Sequence, residues 1–155
     1  ANPYFGLPCL NGAILGQLLS ILSSLLAHSR PIVATPGSHH LCGTGRLGGL
    51  TYLGLNDNQL TVLPPTIGNL ANLTSLILHN NRLTSSPLEI GKLTCLEYLR
   101  IYANELTGLP SEIVNLANLE KLDISGNLIT VVPPKIKAMI GRSGRVNVVE
   151  NTVRD

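Results

Sequence analysis

The stretch from Leu50 to Asn72, LTYLGLNDNQLTVLPPTIGNLAN, sets the architecture because its pattern recurs along the chain every 23 residues. Leucine or isoleucine returns at the same places in each copy, and asparagine and proline also return in fixed columns. The matched columns include Leu53, Leu76, Leu99 and Leu122; Leu55, Leu78, Ile101 and Ile124; Asn58, Asn81, Asn104 and Asn127; and Pro64, Pro87, Pro110 and Pro133. Agreement at so many columns indicates a structural unit that is stacked several times.

Each copy combines a short strand with a returning segment. In the pattern L-x-x-L-x-L the last two leucines alternate along a strand, so one face of the strand is apolar. The chain then returns through L-P-x-x-I-x-x-L, where proline fixes the backbone and ends strand pairing. One coil cannot bury its own leucines, but stacked coils bury one another's. An unpaired buried amide costs about 2 kcal/mol or more, so we expect the asparagines to bond backbone groups and to have no binding role.

The repeat LxxLxLxxNxLxxLPxxIxxLxx, which runs from about Leu47 to Met139, resembles the leucine-rich repeat. It is most similar to the 23-residue repeats of the intracellular Ras-group scaffolds. This resemblance implies an α/β solenoid: a short right-handed horseshoe with a parallel concave sheet, about four full repeats and a degenerate fifth. It also implies a non-enzymatic module that presents its concave face to a protein partner inside the cell. A small GTPase as that partner is an analogy only.

The sequence divides into three parts around the repeats. Residues 1–46 are predicted to form an apolar helical segment and a turn-rich loop, residues 47–142 the solenoid, and residues 143–155 a degenerate half-repeat. The half-repeat is predicted because four residues match the spacing L-x-L-x-x-N-x-L after one inserted residue and a loop at Gly141 to Gly144. These residues are Val146, Val148, Asn151 and Val153.

The amino-terminal part differs from the repeats in composition. Residues 1–29 hold no charge, and the 16-residue stretch GAILGQLLSILSSLLA within residues 12–29 predicts an N-terminal helix with a broad apolar stripe. Such a helix spans about 24 Å, less than the roughly 30 Å hydrocarbon core of a bilayer. Three interpretations remain open: a cap or docking helix, a membrane-associated segment, and the remnant of a secretion signal. If the helix docks on other proteins, the chain is instead a structural subunit of a larger assembly, including a membrane complex. Ile32 to Gly37 is interpreted as a worn-down repeat.

Charge and cysteine content limit the function classes. A net charge of +2, with 13% charged residues, leaves no basic stripe for nucleic acid. Cys9, Cys42 and Cys95 do not form a secreted disulfide framework, a Cys9–Cys42 bridge stays open, and Cys95 is expected to be a semi-buried thiol. Asn72-Leu73-Thr74 fits the N-glycosylation pattern, which needs a secretory context. The compartment stays open: the resemblance favours an intracellular location, with membrane-associated and secreted locations as alternatives.

Two motifs that suggest chemistry are interpreted as structural. The G-x-G-x-x-G of Gly43, Gly45 and Gly48 leaves no room for the helix that dinucleotide binding requires, because the first repeat follows at once. His39, His40 and Cys42 lack the ligand spacing of zinc sites. No nucleophile, base and orienting acid converge in the sequence. We therefore expect no catalytic site, no metal or cofactor and no small-molecule substrate.

The side chains that alternate with the buried leucines should project from the concave face of the sheet. The candidate partner-binding residues on this face are Tyr52, Ile77, His79, Tyr98, Arg100, Tyr102, Lys121 and Asp123. Tyrosine and arginine dominate interface energetics because they bury much area and still carry hydrogen-bond donors. An ordinary solvated sheet surface remains the alternative, since strands favour tyrosine anyway.

Overall fold

The computed structural model describes residues 33–36, 50–143 and 147–149, with side chains described for residues 50–139. Its strands form one sheet in chain order: β1 (Val33–Pro36), β2 (Leu50–Gly54), β3 (Ser75–Ile77), β4 (Tyr98–Arg100), β5 (Lys121–Asp123) and β6 (Asn147–Val149). Strands β2 to β6 are parallel, whereas β1 is antiparallel to β2. The returning segments are three 3₁₀-helices, η1 (Pro65–Asn69), η2 (Leu88–Lys92) and η3 (Ser111–Asn115), and one α-helix, α1 (Pro134–Ser143). Residues 50–143 therefore form a solenoid with a parallel sheet.

The leucine columns line the interior of this solenoid. Leu53, Leu76, Leu99 and Leu122 are paired in register across β2 to β5, and each is 0% exposed. The isoleucines of the return, Ile67, Ile90, Ile113 and Ile136, are also 0% exposed and close the same core from the other side. The predicted stacking of identical apolar rungs is therefore confirmed.

Proline and glycine shape the returning segments. Pro64, Pro87 and Pro110 have extended backbone with φ between −69° and −65°, and a 3₁₀-helix starts directly after each. Successive 3₁₀-helices pack closely: a Cβ on Gly68 would lie 2.7 Å from the carbonyl oxygen of Glu89. In the same column Gly91 would bring a Cβ to 2.6 Å from the carbonyl oxygen of Glu112. Side chains are therefore excluded at this column wherever the next return is a 3₁₀-helix.

The asparagine column satisfies the backbone at the bend of each coil. The Oδ1 atom of Asn104 accepts the backbone N–H of Leu83 at 3.0 Å, in the preceding coil. Its Nδ2 donates to the carbonyl oxygens of Leu78 and Ile101, at 3.0 and 3.1 Å. Asn81 and Asn127 repeat this arrangement one coil earlier and one coil later. The structural role predicted for these asparagines is confirmed.

The carboxyl-terminal coil departs from the repeat. Its return is the ten-residue helix α1, in place of a five-residue 3₁₀-helix, and β6 then pairs with β5 so that Val148 lies beside Leu122. The predicted strand exists, but the predicted register, which matches Val146 to Leu122, is wrong by two residues. The predicted loop at Gly141 to Gly144 is also wrong for residues 141–143, which belong to α1. Because the return is longer, β6 lies two residues later in the chain than the spacing of the earlier coils, with one inserted residue, predicts.

The amino-terminal edge of the sheet is covered by β1. Ala34 lies beside Leu53 and Thr35 beside Tyr52 in the antiparallel ladder. The interpretation of Ile32 to Gly37 as a worn-down repeat is wrong for residues 33–36, because a further repeat would add a parallel strand. The predicted helix within residues 12–29 lies outside the described residues. Within the described part of the chain, no helix combines the length and the apolar character needed to cross a membrane.

Candidate protein-binding face

The strand register brings the predicted surface residues together on one face. Tyr52, Ser75, Tyr98 and Lys121 lie side by side across β2 to β5, as do Gly54, Ile77, Arg100 and Asp123. The strands are only three to five residues long. The residues that follow each strand, such as His79 and Tyr102, also lie next to one another and belong to the same face. We call this surface the concave face. Parallel pairing at a fixed register is what places residues 23 positions apart next to one another.

Two aromatic rings form a platform at the carboxyl-terminal ends of β3 and β4. The rings of His79 and Tyr102 are stacked, with centroids 4.4 Å apart and planes inclined by 5°. The Nδ1 atom of His79 is buried and has no hydrogen-bond partner among the described residues. Each ring covers one face of the other, so the two half-buried rings hold each other in a fixed position on this face of the sheet.

Tyr98 is the first residue of β4, at the opposite end of the strand from Tyr102. Its side chain is 37% exposed, and its hydroxyl donates to Oε2 of Glu120 at 3.1 Å. This hydrogen bond, together with the negative charge of Glu120, raises the pKa of Tyr98 above its ordinary value. The hydroxyl is therefore held in a defined position as a neutral donor, while part of the ring remains open to a partner.

Arg100 lies between the tyrosines and is exposed. Its neighbour in the ladder is Asp123, whose Oδ1 accepts the hydroxyl of Ser125 at 2.8 Å and the backbone N–H of Ser125 at 3.3 Å. Among the described residues, Arg100 forms no ion pair or side-chain hydrogen bond, and the same holds for Lys121. Both cations keep their donors available on the concave face.

The remaining predicted residues contribute to a different degree. Tyr52, Lys121 and Asp123 are half-buried on the concave face. Ile77 is only 6% exposed, although it lies outside the apolar core cluster of the solenoid. It is therefore largely covered by neighbouring groups and offers little surface to a partner.

One polar cluster on this face is absent from the predicted site. Asp57 accepts hydrogen bonds from the side-chain amides of Asn56, at 2.7 Å, and Asn80, at 2.8 Å. Asp57 and Asn80 both have a φ of 56°, and Ala103 and Gly126 continue the same left-handed column. The sequence carries a signal for this bend, because aspartate, asparagine and glycine tolerate the left-handed conformation. The cluster rigidifies the amino-terminal end of the concave face.

The other chemical motifs do not form a site in the described chain. Groups of three or more metal-ligating side chains are absent from the described residues. The G-x-G-x-x-G at 43–48 and the residues His39, His40 and Cys42 lie outside them. Cys95 is 1% exposed and disulfide-bonded, so its expected role as a thiol is wrong. The Cys9–Cys42 bridge that the sequence leaves open concerns residues outside the described part of the chain.

Comparison with protein families identifies the repeat. The model of the leucine-rich repeat region matches residues 33–126, which is more than half of the chain. The chain belongs to the leucine-rich-repeat family. A second model, of the single leucine-rich repeat, matches residues 118–139. The first match begins at Val33, the first residue of β1. Proteins of this family generally mediate protein–protein interactions.

Solved structures support the same fold. A leucine-rich-repeat protein from Leptospira interrogans is 35% identical, with a TM-score of 0.55, over 63% of this chain and 24% of that one. The chain thus spans about a quarter of the length of that structure. The leucine-rich-repeat ectodomain of the receptor kinase SOBIR1 from Arabidopsis thaliana is 24% identical, with a TM-score of 0.56, over 90% of this chain and 91% of that one. At this identity the second likeness concerns the fold alone. No curated protein matches the chain.

Proposed function

We propose that this leucine-rich-repeat domain is a non-enzymatic interaction module that binds a protein partner across its concave face. The observation that carries the proposal is the grouping of Tyr98, Arg100 and the His79–Tyr102 platform on adjacent strands. Each has exposed surface or hydrogen-bond donors that contacts within the domain do not use. Exposed tyrosine and arginine on a rigid support are the side chains that most often anchor interfaces.

The rigidity of this support favours binding. Each of the strands β2 to β5 is anchored in the core by a leucine that is 0% exposed, and the bends are fixed by the asparagine column. A partner therefore does not have to order a loop when it binds, which removes one of the main entropic costs of association. The Ras-group resemblance remains a prediction from the repeat consensus, and a small GTPase as partner has no further support here.

The experiment replaces Tyr98, Arg100 and Tyr102 together with alanine. We expect capture of the native partner, identified by crosslinking and mass spectrometry in the source cells, to fall by at least tenfold, because these anchors supply most of the proposed contact. The matched control replaces Arg82, Leu88 and Lys92, three exposed residues off the concave face. Equal capture by wild type and by the triple concave variant, with the fold intact by circular dichroism, would refute the proposal.

The alternative function is a structural subunit that docks through the apolar residues 12–29. Its support is the charge-free composition of residues 1–29. Aspartate at Leu18 and Leu22 would release such a chain from its assembly or from membranes in a flotation assay. If these changes leave capture intact while the concave variant abolishes it, the assembly function is excluded. Substitution is preferable to truncation here, because removal of residues 1–45 would also remove β1 and expose the edge of β2.

A further inference from the structure

One sequence motif is not used by the proposed function. Asn72-Leu73-Thr74 is the only N-x-S/T triplet in the chain. It begins in the turn at residues 71–72 and leads into β3. Asn72 and Thr74 are half-exposed, and Leu73 between them is 0% exposed. The acceptor asparagine therefore lies at the surface, just before the beginning of β3.

An equivalent asparagine occurs in another coil. Asn118 stands at the position equivalent to Asn72, two coils later, and it is exposed. Its Nδ2 donates to the carbonyl oxygen of Thr94 at 2.8 Å. The triplet there ends in Glu120, so it is not an acceptor sequence. A glycosylated amide keeps one N–H and its oxygen, so an asparagine at this place can carry a sugar and still contact the backbone.

A second, independent observation concerns the compartment. Cys95, at the equivalent position of the coil between these two, is buried and disulfide-bonded. Disulfides form and persist in oxidising compartments and are rare in the cytosol. The N-x-S/T triplet has meaning only for a chain that enters the secretory route. The disulfide therefore supplies the context that the triplet requires.

We propose that Asn72 carries an N-linked oligosaccharide and that the chain matures in the secretory pathway. The co-reactant is an oligosaccharide linked to a lipid diphosphate. A bond forms between Nδ2 of Asn72 and the anomeric carbon of the sugar, while the anomeric carbon–oxygen bond to the diphosphate breaks. The amide nitrogen loses one proton, and the lipid diphosphate leaves with the bonding electrons. This proposal replaces the intracellular location that the Ras-group resemblance implies.

The fold determines when this transfer takes place. In the folded domain, the Oγ1 of Thr74 donates to the carbonyl oxygen of Thr51 at 3.0 Å, and its backbone N–H donates to the same oxygen at 2.8 Å. With Leu73 buried as well, the triplet is no longer an extended segment that an enzyme can grip. The sugar is therefore added before β3 joins β2, and folded protein that lacks the sugar is a poor acceptor.

The position of the sugar is compatible with partner binding. Asn72 precedes β3, whereas His79 and Tyr102 follow β3 and β4. In a parallel sheet all the strands begin along one side of the sheet and finish along the opposite side. The oligosaccharide therefore lies at the opposite end of the strands from the aromatic platform, at the end where Tyr98 begins β4. Because the proposed anchors are side chains of the domain, loss of the sugar should not weaken partner capture, so this inference and the proposed function can fail separately.

The test uses the full chain purified from its source cells, treated with peptide N-glycosidase and measured by intact mass spectrometry. We expect the wild type to lose the mass of one oligosaccharide and the N72Q variant to lose none. The N118Q variant should behave like wild type. The E120T variant creates an acceptor triplet at Asn118, the equivalent place of a later coil, and should carry a second oligosaccharide.

Two results would overturn the inference. One is an unmodified Asn72 in a chain whose E120T variant is modified at Asn118, which shows that the chain meets the enzyme but Asn72 is not used. The other is the absence of oligosaccharide from both positions in both proteins. Alkylation of Cys95 in denaturant without prior reduction would accompany this second result, because a reduced Cys95 indicates that the chain stays in a reducing compartment.

Discussion

Leu99 and Arg100 are neighbours on β4, yet Leu99 is 0% exposed and Arg100 lies open to solvent. The column of Leu99 holds leucine in all four coils, whereas the column of Arg100 reads glycine, isoleucine, arginine and aspartate. An interior residue must fit the coil before it and the coil after it, so its column repeats. A residue on the concave face must only tolerate its neighbours, so its column can vary and can serve binding.

A second contrast lies along the solenoid rather than across it. Gly68 and Gly91 face a following 3₁₀-helix that leaves no space for a Cβ. The third residue of this column is Val114, which faces α1 instead and is packed against the core. The wider helix changes the spacing, so the same place in the coil requires glycine twice and accepts valine once.

The largest effect is expected when the asparagine column is broken. Replacing Asn104 with alanine leaves the buried N–H of Leu83 without its partner. The carbonyls of Leu78 and Ile101 lose one of their two side-chain donors and keep the amides of Asn81 and Asn127. We expect a loss of about 2 to 4 kcal/mol in the free energy of unfolding, since the unsatisfied N–H costs about 1–3 kcal/mol and each lost hydrogen bond to a carbonyl adds about 0.5–1.5 kcal/mol. Urea unfolding measures it. The control is Asn115→Ala, because Asn115 is exposed. Similar losses for both variants would show that the column is not structural.

A smaller effect is expected where coils approach most closely. Gly91→Ala places a Cβ against the carbonyl of Glu112, and we expect a loss of about 1–3 kcal/mol in the free energy of unfolding, typical of overpacking. Gly108→Ala is the matched control, since a Cβ there meets nothing within 4 Å. Thermal or urea unfolding compares the two. If Gly91→Ala is as stable as Gly108→Ala, the close approach of the 3₁₀-helices is not real.

The smallest effect concerns ionisation on the concave face. Glu120 raises the pKa of Tyr98, so folding favours the protonated phenol. The stabilisation is present below the ordinary pKa of tyrosine and is lost as the pH rises through the raised value. In an NMR titration of the Tyr98 ring, Glu120→Gln should lower the pKa, and Glu97→Gln, which removes only the weaker effect of a second negative charge, should lower it less. An unchanged pKa in Glu120→Gln would exclude the hydrogen bond.

The sequence was sufficient wherever the period of 23 held. The period placed the four leucines of the Leu99 column in register, assigned the asparagines to the bends, and put His79 beside Tyr102. It did not predict that their rings stack, because the separation of side chains depends on rotamers and not on spacing alone. It also placed Ile77 on the concave face without showing that neighbouring groups cover it.

The sequence was insufficient wherever the period ends. Helix α1 is longer than the earlier returns, so the register of β6 could not be counted from them. Strand β1 runs antiparallel, and no residue pattern within Val33–Pro36 distinguishes that from a degraded repeat. Three cysteines allow three pairings, and spacing does not choose among them. The disulfide at Cys95 is therefore information that only the structure provides.

Paired unfolding of Leu99→Ala and Arg100→Ala tests most directly whether the two faces of one strand have separate roles. We predict a loss of about 3 kcal/mol for Leu99→Ala, as for other fully buried leucines, and a change within about 0.5 kcal/mol for Arg100→Ala. Comparable losses from the two variants would contradict the account, because the concave face would then be part of what holds the solenoid together and not a surface free for a partner.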